Sequence, residues 1–366
     1  MSRQRLILLF DGTWNDPSNC THVYRLARRL HEYAGDIHQR AYYSPGVGTG
    51  RFQKLLGGLT GFGLNRDLMQ GYQWLAEHHQ PGDEIWLFGF SRGAYTARSL
   101  AGLLRKCGLL RATTPARLRE AQRLYRNRAI SPQHPLAEQF RRDHSKTPRV
   151  NFIGVWDTVG ALGVPGTLWS ERRGLAWHDT ELSSIVDYAY QALAIDEHRK
   201  VYDAPLWTSC DGACKRQQRE VEQRWFIGAH GNVGGSYGVD DPLAALSLAW
   251  MLEKATAVGL ALEPYQAPAE AHLGDVADPY HDFLLGLYPL WRRLRAGGDG
   301  RHHRALFGTA ERRAVNVSLD PSIWRRWQAR CDYRPGSLLR EGLRPPKPCT
   351  DPRAAANLMA LSDATD

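Results

Sequence analysis

Three side chains of this sequence have the types and positions needed to activate a hydroxyl for attack on a carbonyl. Ser91 sits in Gly89-Phe90-Ser91-Arg92-Gly93, after the apolar run Ile85 to Phe88 and before a small-residue stretch that suits a helix. A serine hydroxyl is a poor nucleophile until a base takes its proton, and an imidazole base needs a carboxylate to fix its tautomer and stabilise its cation. Asp157 follows the apolar run Val150 to Trp156, and His230 follows Arg224 to Ala229 and opens a glycine-rich loop. Serine, acid and histidine arrive in that order, each after an apolar run, which is the pattern of a Ser-Asp-His triad. Asp203 and Asp240 are reserve candidates for the acid, and the plain alternative for Asp157 is an aspartate capping its turn. The chain has 14 histidines, so position rather than presence singles out His230. His78, His79, His302 and His303 lie in polar or basic surroundings and read as surface residues.

The glycines have a steric reason. A serine on a sharp strand-to-helix turn takes strained backbone angles, and side chains two residues either way would strike the neighbouring chain, hence Gly89 and Gly93. The helix that follows turns N–H groups toward the serine, so the Arg92 amide is the first oxyanion donor. The turn after the first strand, at Gly12 or Thr13, is the expected second donor, with Asp11 and Asn15 ordering it. Asp11 also suggests an aspartate-nucleophile phosphatase, but the second aspartate expected two residues on is replaced by Thr13.

These groups need a scaffold that brings strand ends together. Arg5 to Phe10, Gln39 to Tyr43, the run before Ser91, Val150 to Trp156 and Arg224 to Ala229 read as strands. Helices are expected near His22 to Tyr33, Leu64 to His79, Arg92 to Leu104, Ala116 to Arg128, Ser184 to Ile195 and Pro242 to Val258. Residues 161–180 are rich in Gly, Pro and Trp and suit a surface excursion, and Ala314 to Leu319 alternates like an edge strand. Alternating strands and helices imply an α/β fold with a mostly parallel central sheet, helices on both faces and inserted segments around a pocket. The expectation is one domain over residues 1–366, with a core over 1–260 and a C-terminal part, 261–366, packed on it. Ser44 to Gly50 is glycine-rich but is no phosphate-binding P-loop, because no Gly-Lys-Ser/Thr follows it.

Composition narrows the partners. With 366 residues, 43% of them hydrophobic, the chain can bury a large core. A net charge of +9 favours anionic partners such as phospholipid headgroups, making peripheral contact with an anionic membrane an expectation. No basic cluster interleaved with aromatics marks a nucleic-acid module, so nucleic acid is not an expected partner. The six cysteines are scattered and read as reduced or incidental thiols, with a local Cys210–Cys214 bridge as the alternative. No signal peptide or membrane span is visible, so the chain is expected to be made in the cytoplasm. Phe283 to Trp291, followed by Arg292 and Arg293, reads either as a lid or membrane-contact element or as an ordinary core helix broken at Pro289.

Several stretches together resemble the DUF2235 family, an α/β-hydrolase group that includes phospholipase effectors of bacterial type VI secretion. They are Asp11-Gly12-Thr13, Tyr43 to Thr49, Pro81 to Glu84, Gly89 to Ala94, Val155 to Gly160, Asp196-Glu197-His198-Arg199 and Gly228 to Tyr237. The resemblance spans roughly residues 5–260. It implies Ser91, Asp157 and His230 as the triad and cleavage of phospholipid acyl esters, without a metal or organic cofactor. It also implies an immunity protein or secretion-spike partner and export into a target cell. Two features depart from the family: Gly231-Asn232 replaces the usual Ser-Asp after the histidine, and the chain is near the minimal catalytic size. The other readings are a soluble carboxylesterase or thioesterase with the same triad, and a catalytically silent hydrolase fold used as a binding module.

Overall fold

Leu6 to Phe10 has no polar position, so a strand made of it must be covered on both faces. In the computed structural model it is the start of β1 (Gln4–Phe10), where every residue from Arg5 onward is buried. The structure describes residues 3–12, 20–46, 62–160, 182–208, 218–283, 286–296, 298–309 and 313–345. Along the chain follow α1 (His22–Ala27), β2 (Tyr33–Ala34), β3 (Ile37–Ser44), α2 (Phe62–His78), β4 (Glu84–Phe90) and α3 (Arg92–Cys107). Next come α4 (Pro115–Arg126), α5 (Pro135–His144), β5 (Val150–Trp156), β6 (Val186–Ala194) and β7 (Glu220–Phe226). The chain continues with α6 (His230–Gly234), α7 (Pro242–Val258), α8 (Pro279–Asp282), α9 (Leu287–Ala296), β8 (Val317–Leu319), α10 (Pro321–Ala329) and α11 (Gly336–Arg340).

Among the described residues, the eight strands of the main sheet lie in the order β8-β7-β6-β5-β4-β1-β3-β2. Every pairing is parallel except the short β2–β3 hairpin at the edge. Chain order reverses between β1 and β4, and an open parallel sheet has its crevice at the carboxyl ends of such strands. The fold is thus a mostly parallel, helix-covered α/β sheet of the α/β-hydrolase kind. Alternation splits the core. Leu6, Leu8 and Phe10 face a layer with Leu68, Tyr72 and Leu100, whereas Ile7 and Leu9 face one with Val23, Leu26, Leu248 and Met251. A third cluster joins Leu193, Trp225 and Ile227 to Leu306, Ile323, Trp327 and Leu338, so residues beyond 300 pack on the last strands.

Three expectations need correction. Ser184 to Ile195 is not a helix: residues 186–194 are β6, paired in parallel with both β5 and β7. Its alanines, Gln191 and Leu193 favour a helix locally, but burial between two strands and the alternation of Val186, Tyr188 and Tyr190 decide the outcome. The first helix stops at Ala27, well short of Tyr33, because Tyr33–Ala34 turns back through Gly35 (φ 60°) to pair with β3. The thiols are not all reduced: among the described residues Cys107 is a buried free thiol, but Cys331 is disulfide-bonded. Cys210 and Cys214, and the excursion over 161–180, also lie outside them. No helix among the described residues is long and apolar enough to cross a membrane.

Candidate active site

β4 ends at Phe90 and α3 begins at Arg92, leaving one residue, Ser91, to make the turn. Its backbone sits at φ 57°, ψ −122°, a strained region for a residue with a side chain. The flanking glycines are sterically required. A Cβ on Gly89 would lie 2.5 Å from the Gly93 carbonyl oxygen, and one on Gly93 would lie 2.0 Å from the Phe10 carbonyl oxygen. The turn therefore presses directly on the end of β1. The Ser91 N–H donates to the Trp156 carbonyl oxygen at 3.0 Å, tying the turn to the end of β5.

Asp157 leaves β5 with a positive φ of 36° and is fully buried. His230 opens α6 after β7 and is 7% exposed. The three side chains touch in sequence. Ser91 Oγ lies 2.9 Å from His230 Nε2, and His230 Nδ1 lies 2.6 Å from Asp157 Oδ2. An ionised Asp157 can only accept, which assigns the proton to Nδ1 and leaves Nε2 to accept from the Ser91 hydroxyl. The imidazole is also clamped by its neighbours, with the Phe90 ring at 4.7 Å and the Tyr202 ring edge-on at 4.9 Å between centroids.

The side chain that holds the acid was not visible in the sequence. Arg304 grips Asp157 with both amino groups, Nη1 to Oδ1 at 2.6 Å and Nη2 to Oδ2 at 3.0 Å. The Ala194 N–H gives Oδ1 a further bond at 2.9 Å. Arg304 is itself buried, donating to the Ala194 carbonyl oxygen at 2.8 Å and to the Tyr202 carbonyl oxygen. Burial alone would push the Asp157 carboxyl up, but the Arg304 charge and the hydrogen bonds from His230 and Arg304 hold it well below the usual carboxylate range. Arg304 sits in a stretch that reads as a polar loop, and nothing in its local pattern points toward residue 157. Its neighbours His302 and His303 are half-buried rather than surface residues, as is His78, while His79 is buried.

The Asp196-to-Arg199 segment supports the histidine from behind. Glu197 is fully buried, and its Oε2 accepts the His230 backbone N–H at 3.3 Å and Arg199 Nη2 at 2.7 Å. Burial raises this carboxyl's affinity for protons, but the Arg199 bonds and charge outweigh it, so the group stays ionised. The Arg199 guanidinium in turn covers the Tyr202 ring at 3.8 Å. Of the reserve acids, Asp203 faces His302 at 3.3 Å, and Asp240 is exposed.

The segment after His230 is a short helix rather than a loop, and the structure gives Gly231 and Asn232 physical roles. A Cβ on Gly231 would meet Tyr237 Cε2 at 2.6 Å and Ser236 Oγ at 2.7 Å, so a serine there would require the Tyr237 and Ser236 side chains to move. Asn232 Oδ1 accepts the backbone N–H groups of Ala229 at 3.0 Å and Ala277 at 3.1 Å, while its Nδ2 donates to Asp241 at 2.9 Å. The amide thus supplies a donor that an aspartate would lack. Of the two positions expected for the second oxyanion donor, the Gly12 N–H is engaged with Asp11 Oδ1 at 2.7 Å, and Thr13 lies outside the described residues, as does Asn15. Arg92, the other expected donor, is the first residue of α3. Asp11 does order its turn, since its Oδ2 accepts the Thr21 and Tyr43 hydroxyls, each at 2.7 Å. Among the described residues, no group of three or more His, Cys, Asp or Glu is arranged to hold a metal ion.

A curated relative, an uncharacterized protein of Saccharomyces cerevisiae, is 30% identical over 224 residues, which is 54% of this chain and 32% of that protein. Two solved structures are similar at 18% identity. One is a Tle1 effector bound to the VgrG spike of the type 6 secretion system (TM-score 0.38, covering 64% of this chain and 51% of that one). The other is an uncharacterized protein from Pseudomonas aeruginosa (TM-score 0.43, 81% and 51%). The chain spans about a third of the yeast relative's length and about half of each solved chain. Residues 4–254 match the family described as "T6SS, Phospholipase effector Tle1-like, catalytic domain". The chain therefore belongs to the Tle1-like phospholipase effector family of type VI secretion, as the resemblance in its motifs implied.

Proposed function

We propose that this chain is a serine hydrolase that cleaves carboxylic esters through an acyl-enzyme, with phospholipid acyl esters as its substrates. One observation carries the reading: the continuous contact from Ser91 Oγ through His230 to a buried, ionised Asp157. In the first half-reaction Nε2 takes the Ser91 proton as Oγ attacks the ester carbonyl, and Asp157 steadies the imidazolium. Nε2 then gives that proton to the leaving alcohol as the carbon–oxygen bond breaks. In the second half, water attacks the acyl-enzyme with His230 again as base, releasing the fatty acid and restoring Ser91. The backbone amide of Arg92 is the proposed first oxyanion donor. Gly12 can supply the second only if its N–H leaves Asp11 Oδ1, and Thr13 is the alternative donor.

Family membership favours phospholipid over soluble esters, and it favours a secretion-spike or immunity protein as partner and delivery into a target cell. A fluorophosphonate probe tests the chemistry: it should label Ser91 in the folded protein and leave Ser91→Ala unlabelled. Absence of labelling would return the chain to the class of binding modules. Incubation with phospholipid vesicles should release fatty acid and lysolipid. Turnover of short soluble esters or thioesters alone would refute the phospholipase assignment while keeping the triad.

A further inference from the structure

The outward face of α9 is apolar, the reverse of an ordinary surface helix. Its buried side is held by Tyr288, 2% exposed, and Pro289. On the opposite side Leu287, Leu290 and Leu294 stand in solvent at 67%, 59% and 81% exposure. Their i, i+3, i+7 spacing places them in one stripe along the helix. Helical geometry puts Arg293 on one flank of that stripe, and Trp291 with Arg295 on the other, the Arg295 guanidinium lying 4.8 Å over the Trp291 ring. Residues 287–296 contain no acid.

The helix is joined to the catalytic imidazole by packed rings. His230 touches Tyr202, Tyr202 touches Phe283 at 5.7 Å, Phe283 touches Tyr288 at 5.2 Å, and Tyr288 touches Trp291 at 6.0 Å. The loop after α6 adds exposed Tyr237 and Val239. Among the described residues, five of the nine large apolar side chains standing in solvent lie on these two segments beside His230. Scattered exposed leucines need no explanation, but a concentration beside a reactive site marks a contact surface.

We propose that α9 is an interfacial helix that seats on an anionic phospholipid bilayer, its leucine stripe entering the acyl boundary and Arg293 and Arg295 meeting lipid phosphates. Charge complementarity selects this occupant: an apolar stripe with cationic flanks, no acid and an interfacial tryptophan matches an anionic lipid surface. The proposal deepens the phospholipase reading by naming how the site reaches its substrate, and it rests on that reading only for the purpose of the contact.

The test separates binding from turnover by using vesicles of non-hydrolysable diether lipids, either an equal mixture of phosphatidylglycerol and phosphatidylcholine or phosphatidylcholine alone. The wild-type protein should float with the anionic vesicles. The triple variant Leu287→Gln/Leu290→Gln/Leu294→Gln should lose affinity by on the order of thirtyfold or more, since each leucine withdraws apolar area from water. Arg293→Gln/Arg295→Gln should lose at least about tenfold, and only on the anionic vesicles. Both variants alter exposed side chains, and both should keep the wild-type melting temperature and lipid-free probe labelling of Ser91. Flotation of the triple variant at wild-type strength would overturn the proposal. So would a wild-type protein that ignores vesicles but forms a dimer by light scattering that the triple variant abolishes, because the stripe's occupant would then be a second copy. If flotation follows the expected pattern while Ser91 resists labelling, the surface assignment stands and the hydrolase reading falls.

Discussion

Arg304→Met should both destabilise the protein and change how its stability depends on pH. Arg304 and Asp157 are buried together, and the guanidinium makes two of the four hydrogen bonds to that carboxylate. Methionine roughly fills the space but leaves a buried charge with only His230 and the Ala194 amide. Removing one partner of a buried pair costs about 3–5 kcal/mol, a large fraction of the roughly 5–15 kcal/mol that holds a domain folded. The sign of the pH effect follows from the depressed carboxyl. In the wild type, the native state keeps Asp157 ionised below the pKa of about 3.9 it has when unfolded, so its contribution is complete above that value and fades only as pH falls toward the native pKa. Without Arg304, burial dominates and the native carboxyl takes up a proton at higher pH, so acid unfolding should begin at higher pH. Arg304→Lys, which keeps the charge but loses the two-pronged grip, should retain the fold and slow probe labelling by about 10²-fold, because the acid no longer fixes the imidazole in place. Circular dichroism against pH and labelling kinetics read both effects. A methionine variant with wild-type stability and an unchanged acid midpoint would refute the claim that Arg304 keeps Asp157 ionised.

Ser91→Gly should abolish labelling yet raise stability by about 1 kcal/mol in urea unfolding, because glycine accepts the positive φ that serine pays strain to hold. Gly93→Ala should cost about 3 kcal/mol or more, since its Cβ would lie 2.0 Å from the Phe10 carbonyl oxygen and backbone cannot yield cheaply there. Asn232→Asp should cost about 1–3 kcal/mol at neutral pH, because the donor to Asp241 becomes a second acceptor. Burial already raises the Asp241 carboxyl, and the new carboxylate would raise it further, so the variant's deficit should grow as pH rises through the pair's titration and shrink in acid. Thermal unfolding at several pH values checks this, and a deficit independent of pH would contradict it.

The parts of this molecule that were legible are those whose requirements are local. The elbow could be read because a strained serine forces glycine at 89 and 93, and the strand ends could be read because parallel strands are apolar throughout. Whether a segment such as β6 is helix or strand is decided by its neighbours, and Tyr188 and Tyr190 carry too weak an alternation against the surrounding alanines. Arg304 was invisible for a stronger reason. Its partner lies 147 residues away, and an arginine beside two histidines in a polar stretch looks the same whether it is solvated or buried. Gly231 and Asn232 were legible as departures from a family pattern, but their reasons became apparent only with Tyr237 and Asp241 in place.

The family match ends at residue 254, yet the group that holds the acid is residue 304. The C-terminal part therefore belongs to the site's construction. Leu306, Ile323, Trp327 and Leu338 cover Leu193, Trp225 and Ile227 at the ends of β6 and β7, and the same region delivers Arg304 to Asp157 and the Tyr202 carbonyl. A chain cut after residue 260 would retain Ser91, Asp157 and His230 but expose that cluster and leave the acid buried without its cation. At roughly 1.5–3 kcal/mol for each large apolar side chain that loses its cover, the loss exceeds the margin of a typical domain. The truncated chain should aggregate or behave as a molten state and fail to react with the probe. A folded, monomeric 1–260 fragment that labels at Ser91 at the wild-type rate would show that the triad needs neither Arg304 nor the layer that carries it.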